Sequence, residues 1–357
     1  MLLPDIALKN SITLLFLSFF LFISCDHKHK EYAKGVLFYS GFPHERELIG
    51  EVIELDTALL RYPFRIRIEG DRVIVMDLHG LDHYGHLFQY PSYQYLSSFG
   101  KRGDSPTEML SLENFRLQNH VVWTLDANKS ELTRLDFSSS GDSLLRDEAV
   151  TLDDILRPLD FAIYNDSMFI IPDYSGENRL CRVNCNGKLI DKIGIIPTID
   201  EKALENARPA LAQAWRSFLD YNPNNGILAV VTQLGEVLEV YNLKDSTHVV
   251  RIGEYGEPEF KISDGYGIPT GIMGFSDVQV TDSAIYTVFH GTSFKEIARQ
   301  SGRLPDGGKY IYVFSLKGEP LCKYVLDHYI YGIWVDEATK TIIATDVNDD
   351  QPIVMFS

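Results

Sequence analysis

Aspartates recur at the ends of short apolar runs in this 357-residue sequence, and their carboxylates could bind a cation. The four aspartates that end such runs are Asp77, Asp126, Asp173 and Asp346. Gathered on one surface, they would form a ring of carboxylates that holds a cation or a basic partner. Alternatively, each carboxylate caps its own turn through an Asx hydrogen bond. The recurrence favours capping, because a structural requirement repeats with each run whereas a binding site does not.

A second group of metal-binding side chains lies in one short loop. His79, His83 and His86 accompany Asp82 there, and these are residue types that ligate transition metals. Their spacing matches no metal-binding motif, so we interpret them as solvated loop residues. The sequence also contains no nucleophile elbow, HExxH pair, Walker loop or GxGxxG turn opening a helix. We therefore predict no catalytic residue and no bound cofactor from these motifs.

The apolar runs recur six times along the chain. They span residues 73–77, 121–126, 168–173, 227–233, 284–290 and 341–346. Their mean spacing of about 54 residues is close to the length of a four-stranded propeller blade. Further strand-like runs follow most of them, at 86–90, 131–135, 237–241 and 310–314. The sequence predicts an all-β fold, a single six-bladed β-propeller of four-stranded blades with short helical insertions.

The sixth unit is one strand short. After residues 341–346 only the apolar run 353–356 remains. The segment Glu51–Leu55 alternates apolar and acidic residues and precedes the first blade. We predict that it supplies the missing fourth strand and closes the ring, because closure removes an exposed sheet edge.

Three stretches resemble the TolB-like six-bladed β-propeller lipoproteins, a family best represented in gut-dwelling Gram-negative bacteria. They are Tyr62–Ile66, the hinge Phe99–Glu108, and Ile311–Phe314 with Tyr324–Asp327. The resemblance spans roughly residues 46–357, and the hinge has Ser105-Pro106 where the family usually has Gly-Pro. The resemblance implies a fold and the localisation of a lipoprotein, but it implies no biochemical activity.

The N-terminus resembles a bacterial lipoprotein signal. Lys9 precedes an apolar run, Ile12–Ile23, that is shorter than the ~20 residues of a membrane-spanning helix. The following Phe22-Ile23-Ser24-Cys25 resembles a lipobox, which implies acyl chains on Cys25 and a durable membrane anchor. Alternatively, Cys25 is an incidental cysteine after a cleaved signal. The predicted divisions are a signal peptide (1–24), a lipidated N-terminus and tether (25–45) and the propeller (46–357).

The other cysteines are Cys181, Cys185 and Cys322. If Cys181 and Cys185 share one straight strand, their Cα atoms lie ~13 Å apart, beyond the ~7 Å limit of a disulfide. We therefore predict buried free thiols.

Two segments lengthen the chain between the expected strands. Residues 200–218 are rich in helix formers, and Pro209 is expected to start or kink a helix there. Residues 293–308 extend the second-to-third loop of blade five. Both insertions are predicted on one face, and lengthened loops often mark a binding side. Besides the four aspartates, the residues expected near this face are Trp215, Arg216, His290 and Arg299. Alternatively, the helices only cover the channel mouth.

The charge of the chain restricts its partners. It carries 33 Lys and Arg against 50 Asp and Glu, a formal net charge of −17, which repels phosphate backbones and excludes nucleic acid as a partner. The sequence thus predicts a lipid-anchored binding or protein-interaction module of the cell envelope, its partner an envelope protein or a small ligand. The alternative is a channel-centred, metal-dependent hydrolase (lactonase-like) or lyase, which would require calcium or zinc.

Overall fold

Six sheets, one for each repeat unit and each built on four antiparallel strands, surround a common centre and confirm the predicted six-bladed propeller. The structure is a computed structural model that describes residues 35–55, 60–300 and 304–357. The predicted signal peptide, Cys25 and the first part of the predicted tether lie outside the described residues. First strands of most neighbouring blades contact one another around the centre, and each later strand lies further out.

Blades one to three each take four consecutive strands, which are rich in the β-branched and aromatic residues that favour a pleated, half-buried surface. Blade one comprises β4 (Pro63–Glu69), β5 (Arg72–Asp77), β6 (His83–Gln89) and β7 (Gln94–Lys101). Blade two comprises β8 (Leu112–Gln118), β9 (Val121–Asp126), β10 (Glu131–Phe137) and β11 (Leu144–Thr151). Blade three comprises β12 (Ala162–Asn165), β13 (Met168–Pro172), β14 (Leu180–Asn184) and β15 (Leu189–Ile193).

Blades four to six continue the same order, and the last of them borrows its outer strand. Blade four comprises β16 (Ser217–Asn222), β17 (Ile227–Thr232), β18 (Val237–Asn242) and β19 (Thr247–Ile252). Blade five comprises β22 (Phe275–Val280), β23 (Ala284–Phe289), β24 (Gly308–Ser315) and β25 (Pro320–Ile330). Blade six comprises β26 (Ile333–Asp336), β27 (Thr341–Thr345), β28 (Ile353–Phe356) and the early strand β3 (Glu51–Ile53).

The six predicted apolar runs are the second strands of the six blades. They are buried along almost their whole length because they lie inside a sheet and between neighbouring blades. Burial on both faces explains why these runs are continuously apolar rather than alternating.

The N-terminal segment runs around the outside of three blades. β3 pairs antiparallel with β28, with Val52 opposite Val354, which confirms the predicted closing strand. Before it, β1 (Val36–Phe38) adds a parallel fifth strand to blade four, and β2 (Glu45–Leu48) adds one to blade five. Part of the predicted tether is therefore paired into the propeller.

Both predicted insertions contain helices. α1 (Glu201–Asn206) is capped by Asp200, and α2 (Arg208–Ala214) has Pro209 in its first turn. α3 (Phe294–Arg299) begins with a capping box that Ser293 forms. No helix within the described ranges has the length and apolar character needed to cross a membrane.

A hairpin and the cysteines complete the fold. The hairpin β20 (Phe260–Ser263) and β21 (Tyr266–Pro269) joins blade four to blade five, packs against α2, and has no counterpart in the sequence prediction. Cys181, Cys185 and Cys322 are free thiols, as predicted, although only Cys181 is fully buried.

Candidate binding face and central channel

In every blade, the loop between the second and third strands lies at the same end as the segment that crosses to the next blade. We call the surface formed by these segments the crossing face. The loops span residues 78–82, 127–130, 173–179, 233–236, 290–300 with 304–307, and 346–352. The crossings span residues 102–111, 152–161, 194–216, 253–274, 331–332, and 54–55 with 60–62. Both helical insertions and the β20–β21 hairpin lie on this face.

Two of the recurring aspartates hold a crossing against a loop. The carboxylate of Asp77 accepts hydrogen bonds from the backbone N–H groups of Arg61 and Tyr62, both at 2.8 Å, and of His79 at 3.0 Å. The carboxylate of Asp126 accepts the corresponding N–H groups one blade later. These two carboxylates therefore tie each first strand to the end of its second strand.

The other two aspartates also accept bonds within their own loops. Asp173 accepts the N–H of Ser175 at 2.9 Å and lies 3.1 Å from Lys192 Nζ. Asp346 accepts the N–H of Asn348 at 2.9 Å. Within the described ranges, no group of three or more His, Cys, Asp or Glu side chains is arranged to hold a metal ion. The geometry of all four aspartates is that of turn capping.

The three loop histidines occupy different environments. His79 packs on the Tyr62 ring, with 4.6 Å between the centroids, whereas His83 and His86 belong to β6. His86 is buried, and its Nδ1 lies 2.9 Å from Ser98 Oγ. Burial lowers the pKa of His86 below its ordinary value. The prediction of solvated loop residues is wrong for His86, because this residue lies inside β6, opposite Ser98 of β7, and is buried there.

The two candidate residues that follow α2, Trp215 and Arg216, lie in different environments. Trp215 is fully buried beneath the insertion, and its backbone oxygen accepts a hydrogen bond from Arg179 at 3.2 Å. It therefore anchors the helix and does not line the rim, contrary to expectation. Arg216, the next residue, is exposed on the crossing face and borders a cavity.

The two predicted residues of the second insertion also differ. His290 is buried, its Nε2 has no hydrogen-bond partner among the described residues, and burial lowers its pKa to about 4. It lies on the wall of a cavity of about 270 Å³, beside Asp306. Arg299 is exposed in the last turn of α3. His290 is therefore neutral near pH 7, whereas Arg299 is accessible to a partner.

The central channel contains paired charges that the sequence reasoning missed. Arg65 and Arg67, both on β4, reach Asp277 on β22 at 3.3 and 3.1 Å. The guanidinium of Arg65 lies 4.0 Å from the Phe64 ring centroid and 4.3 Å from that of Phe218. Burial raises the pKa of Asp277, but the two arginine charges outweigh burial and the net direction is downward. The alternation of Arg65 and Arg67 along one strand was the available signal.

A second ion pair joins the other side of the channel. Arg116 Nη2 lies 2.7 Å from Asp160 Oδ1 and donates to the backbone oxygen of Leu219, also at 2.7 Å. Asp160 accepts the Leu219 N–H at 2.9 Å, so this carboxylate links blades three and four. Asp277 accepts the Ile333 N–H at 2.9 Å and links blades five and six in the same way. These carboxylates are already engaged by arginines and backbone amides.

The shortest crossing brings an aromatic side chain over the channel. Only Tyr331 and Gly332 separate blades five and six, and Tyr331 lies 5.1 Å from Phe64 and 5.4 Å from His290 between ring centroids. A Cβ on Gly332 would lie 2.7 Å from the Phe64 backbone oxygen, so only glycine fits this approach. Aromatic rings therefore fill the channel near the crossing face.

Exposed apolar side chains are unevenly distributed over the molecule. Among the described residues, nine lie on the crossing face: Leu81, Leu110, Leu156, Ile195, Tyr255, Ile262, Tyr266, Ile268 and Ile297. Seven lie on outer strands or the N-terminal segment: Leu37, Phe38, Ile49, Val52, Leu145, Ile190 and Leu321. None of the exposed apolar residues in the described ranges lies on the turns of the opposite face.

Comparison with solved structures shows the same fold at very low identity. A Bacteroides vulgatus member of the duf4221 family is 10% identical with a TM-score of 0.57, covering 87% of this chain and 96% of that one. A Bacteroides fragilis protein described as exported is 11% identical with a TM-score of 0.55, covering 90% and 98%. An auxiliary nutrient binding protein from Bacteroides ovatus is 9% identical with a TM-score of 0.52, covering 84% and 70%.

Sequence comparison assigns the family. No curated protein matches the sequence of this chain. The family model for the TolB-like 6-blade propeller-like proteins matches residues 42–338, most of the chain and all six blades in whole or part. The chain therefore belongs to the TolB-like 6-blade propeller-like family.

Proposed function

We propose that this protein is a lipid-anchored binding module of the cell envelope and that its crossing face docks a partner, either an envelope protein or a small ligand. The observation that carries the proposal is the concentration of exposed apolar side chains on that face. Contiguous apolar surface is costly in water and marks interaction sites. The neighbouring Bacteroides propellers described as exported and as nutrient-binding support an extracytoplasmic binding role.

The insertions contribute to the concentration of exposed apolar side chains on the crossing face. The β20–β21 hairpin exposes Ile262, Tyr266 and Ile268 at 54%, 60% and 40%. A propeller does not need this hairpin, because a two-residue crossing suffices between blades five and six. Long loops on one face of a repeat scaffold commonly carry its binding function.

The channel offers no comparable support for the alternative hydrolase. Such an enzyme needs free carboxylates and histidines around the channel to bind a metal ion. The Asp160 and Asp277 carboxylates are engaged by Arg116, Arg65 and Arg67. We therefore base the proposed function on the face rather than on the channel.

The stretch of chain between the proposed anchor and the propeller is short. Ten residues separate Cys25 from Val36, the first residue of β1. Fully extended, they span at most about 36 Å. If Cys25 carries acyl chains, the propeller is held within about that distance of the bilayer.

Replacing the proposed lipid-bearing cysteine, Cys25→Ser, should release the protein from membranes. Acyl chains provide the attachment, and the net charge of −17 opposes binding to anionic lipid. Membrane and soluble fractions of the source bacterium would be compared by immunoblot. Cys322→Ser serves as a control because Cys322 lies within the propeller. Continued membrane association of the Cys25→Ser protein would contradict the anchor.

Adding charge to the crossing face should abolish partner binding. The double variant Ile262→Asp/Tyr266→Asp removes two exposed apolar side chains of the hairpin and should leave folding unchanged. Leu145→Asp/Ile190→Asp is a matched control, since these outer-strand residues are 58% and 51% exposed. Quantitative proteomics of crosslinked envelopes should show partners lost from the hairpin variant and retained in the control. The reverse pattern would overturn the assignment of the face.

A further inference from the structure

A cavity on the crossing face lies where three segments meet. These segments are the crossing 152–161, the end of α2, and the β20–β21 hairpin. The cavity volume is about 270 Å³. At roughly 30 Å³ for each water-sized group, it has room for roughly nine such groups. This is the size of a small organic molecule rather than of a folded protein element.

One part of the cavity wall is apolar. Leu156, Leu159, Leu234 and Pro269 line it. Leu156 is 59% exposed in this open cavity. An apolar group of a ligand would cover these side chains and remove them from water.

The polar groups that line the cavity present hydrogen-bond donors. Arg157 and Arg216 offer guanidinium groups, which have donors only. The Tyr174 oxygen accepts the N–H of Ser217 at 3.3 Å, which leaves its own O–H proton to donate elsewhere. The Gln213 Oε1 accepts the N–H of Gly267 at 3.3 Å, so the amide NH₂ of Gln213 is the group left to donate to a ligand.

The two arginines have no charged partner within the part of the chain that the structure describes. Neither side chain forms an ion pair or a hydrogen bond there, although Asp153 and Asp154 precede Arg157 in the same crossing. None of the described residues that line the cavity carries a carboxylate. This is unusual in a chain whose formal net charge is −17.

Two other cavities of the molecule have acidic side chains in their walls. A cavity of about 180 Å³ beneath the N-terminal segment is lined by Glu45, Glu236 and Glu254. The cavity beside His290 contains Asp306. A further cavity of about 370 Å³ has no carboxylate among its described lining residues, but its Arg182 pairs with Asp191 and its His248 lies 3.4 Å from Glu239. The arginines without a charged partner therefore distinguish the Arg157–Arg216 cavity as a place for an anion.

We propose that this cavity binds a small amphipathic carboxylate, with its carboxylate between Arg157 and Arg216 and its apolar group against Leu156 and Pro269. This inference rests on the proposed function, because it names a ligand for the same face. Arginine is suited to the task, since its planar fork of donors matches a carboxylate. The two arginines come from successive crossings, so a bound carboxylate would bridge blades two, three and four.

Octanoate is the probe, and its neutral and cationic counterparts test the charge requirement. The Cys25→Ser chain, which keeps the whole propeller, would be titrated with octanoate, octanamide and octylamine by calorimetry at low salt. Octanoate should bind with a dissociation constant below about 1 mM. Octanamide should bind at least tenfold more weakly, and octylamine should not bind. Equal binding of octanoate and octanamide, or no saturable octanoate binding at about 1 mM, would overturn the proposal.

Variants locate the binding site. Arg157→Gln and Arg216→Gln should each weaken octanoate binding about tenfold or more, because each removes a charged donor from the carboxylate. Arg299→Gln is a matched control, an exposed arginine on the same face but outside the cavity. Wild-type affinity in the Arg157/Arg216 double variant would place the carboxylate elsewhere and refute this site. If that double variant also retained its envelope partners, the docking face would stand, and only the ligand assignment would have failed.

Discussion

Deletion of residues 46–56 is expected to abolish cooperative unfolding of the propeller. The deletion removes β3, so β28 loses its partner and blade six exposes a row of unpaired backbone groups. It also removes Leu55, which is 7% exposed and packs with Ile343 and Ile353 between blades six and one. Circular dichroism during thermal and urea unfolding would measure the loss as a broad, non-cooperative transition.

A shorter deletion provides the control. Residues 26–34 precede β1, and their removal should leave the unfolding transition unchanged. A synthetic peptide spanning residues 46–56, added to the deleted protein, should restore part of the transition because it can pair with β28. An undiminished sharp transition in the 46–56 deletion would rule out closure by this strand.

Replacing the buried Asp277 by alanine should destabilise the protein by about 3–5 kcal/mol, because the change leaves Arg65 and Arg67 buried without their carboxylate. The Ile333 N–H also loses its acceptor. Urea denaturation of the variant would give the change in the free energy of unfolding. The pKa of Asp277 lies below its ordinary value, so the carboxylate stabilises the fold at neutral pH. That contribution is lost as the pH falls through the lowered pKa.

An exposed ion pair provides the matched control for this variant. Asp191 pairs with Arg182 on the outer part of blade three, and both side chains are partly open to water. Asp191→Ala should therefore change the free energy of unfolding by less than about 1 kcal/mol. Equal effects of Asp277→Ala and Asp191→Ala would show that the channel pair has no special role in stability.

The blade architecture was predictable because it depends on local patterns that repeat. The second strands are buried on both sides, so each appears as a continuous apolar run, and six such runs at regular spacing specify six blades. The closing strand was predictable from the number of strand-like runs, since the C-terminal part of the sequence is one strand short of a complete sixth blade. The helical insertions were predictable from composition, from Pro209 and from the interrupted spacing.

The parts that escaped prediction depend on distant contacts. β1 is only three residues long and is a strand because it pairs in parallel with β19, more than 200 residues later. The β20–β21 hairpin is supported by α2. Short segments of this kind have weak periodicity of their own, so the neighbour that stabilises them cannot be identified from local sequence.

The candidate site also has a part that the sequence predicted and a part that it did not. Residue type and recurrence predicted the capping role of Asp77 and Asp126, because an aspartate after a strand bonds to nearby amides in its own blade. Position along the chain could not distinguish Trp215 from Arg216, although the structure buries the first and exposes the second.

The sequence by itself determined the six blades, their closure and the face on which the insertions lie, because these follow from periodicity and strand count. Only the tertiary structure decided which charges meet. It paired Arg65 with Asp277 across the channel and brought Arg157 and Arg216 to one cavity without a carboxylate. Those distances arise from the circular arrangement of the blades, in which residues far apart in the chain become neighbours.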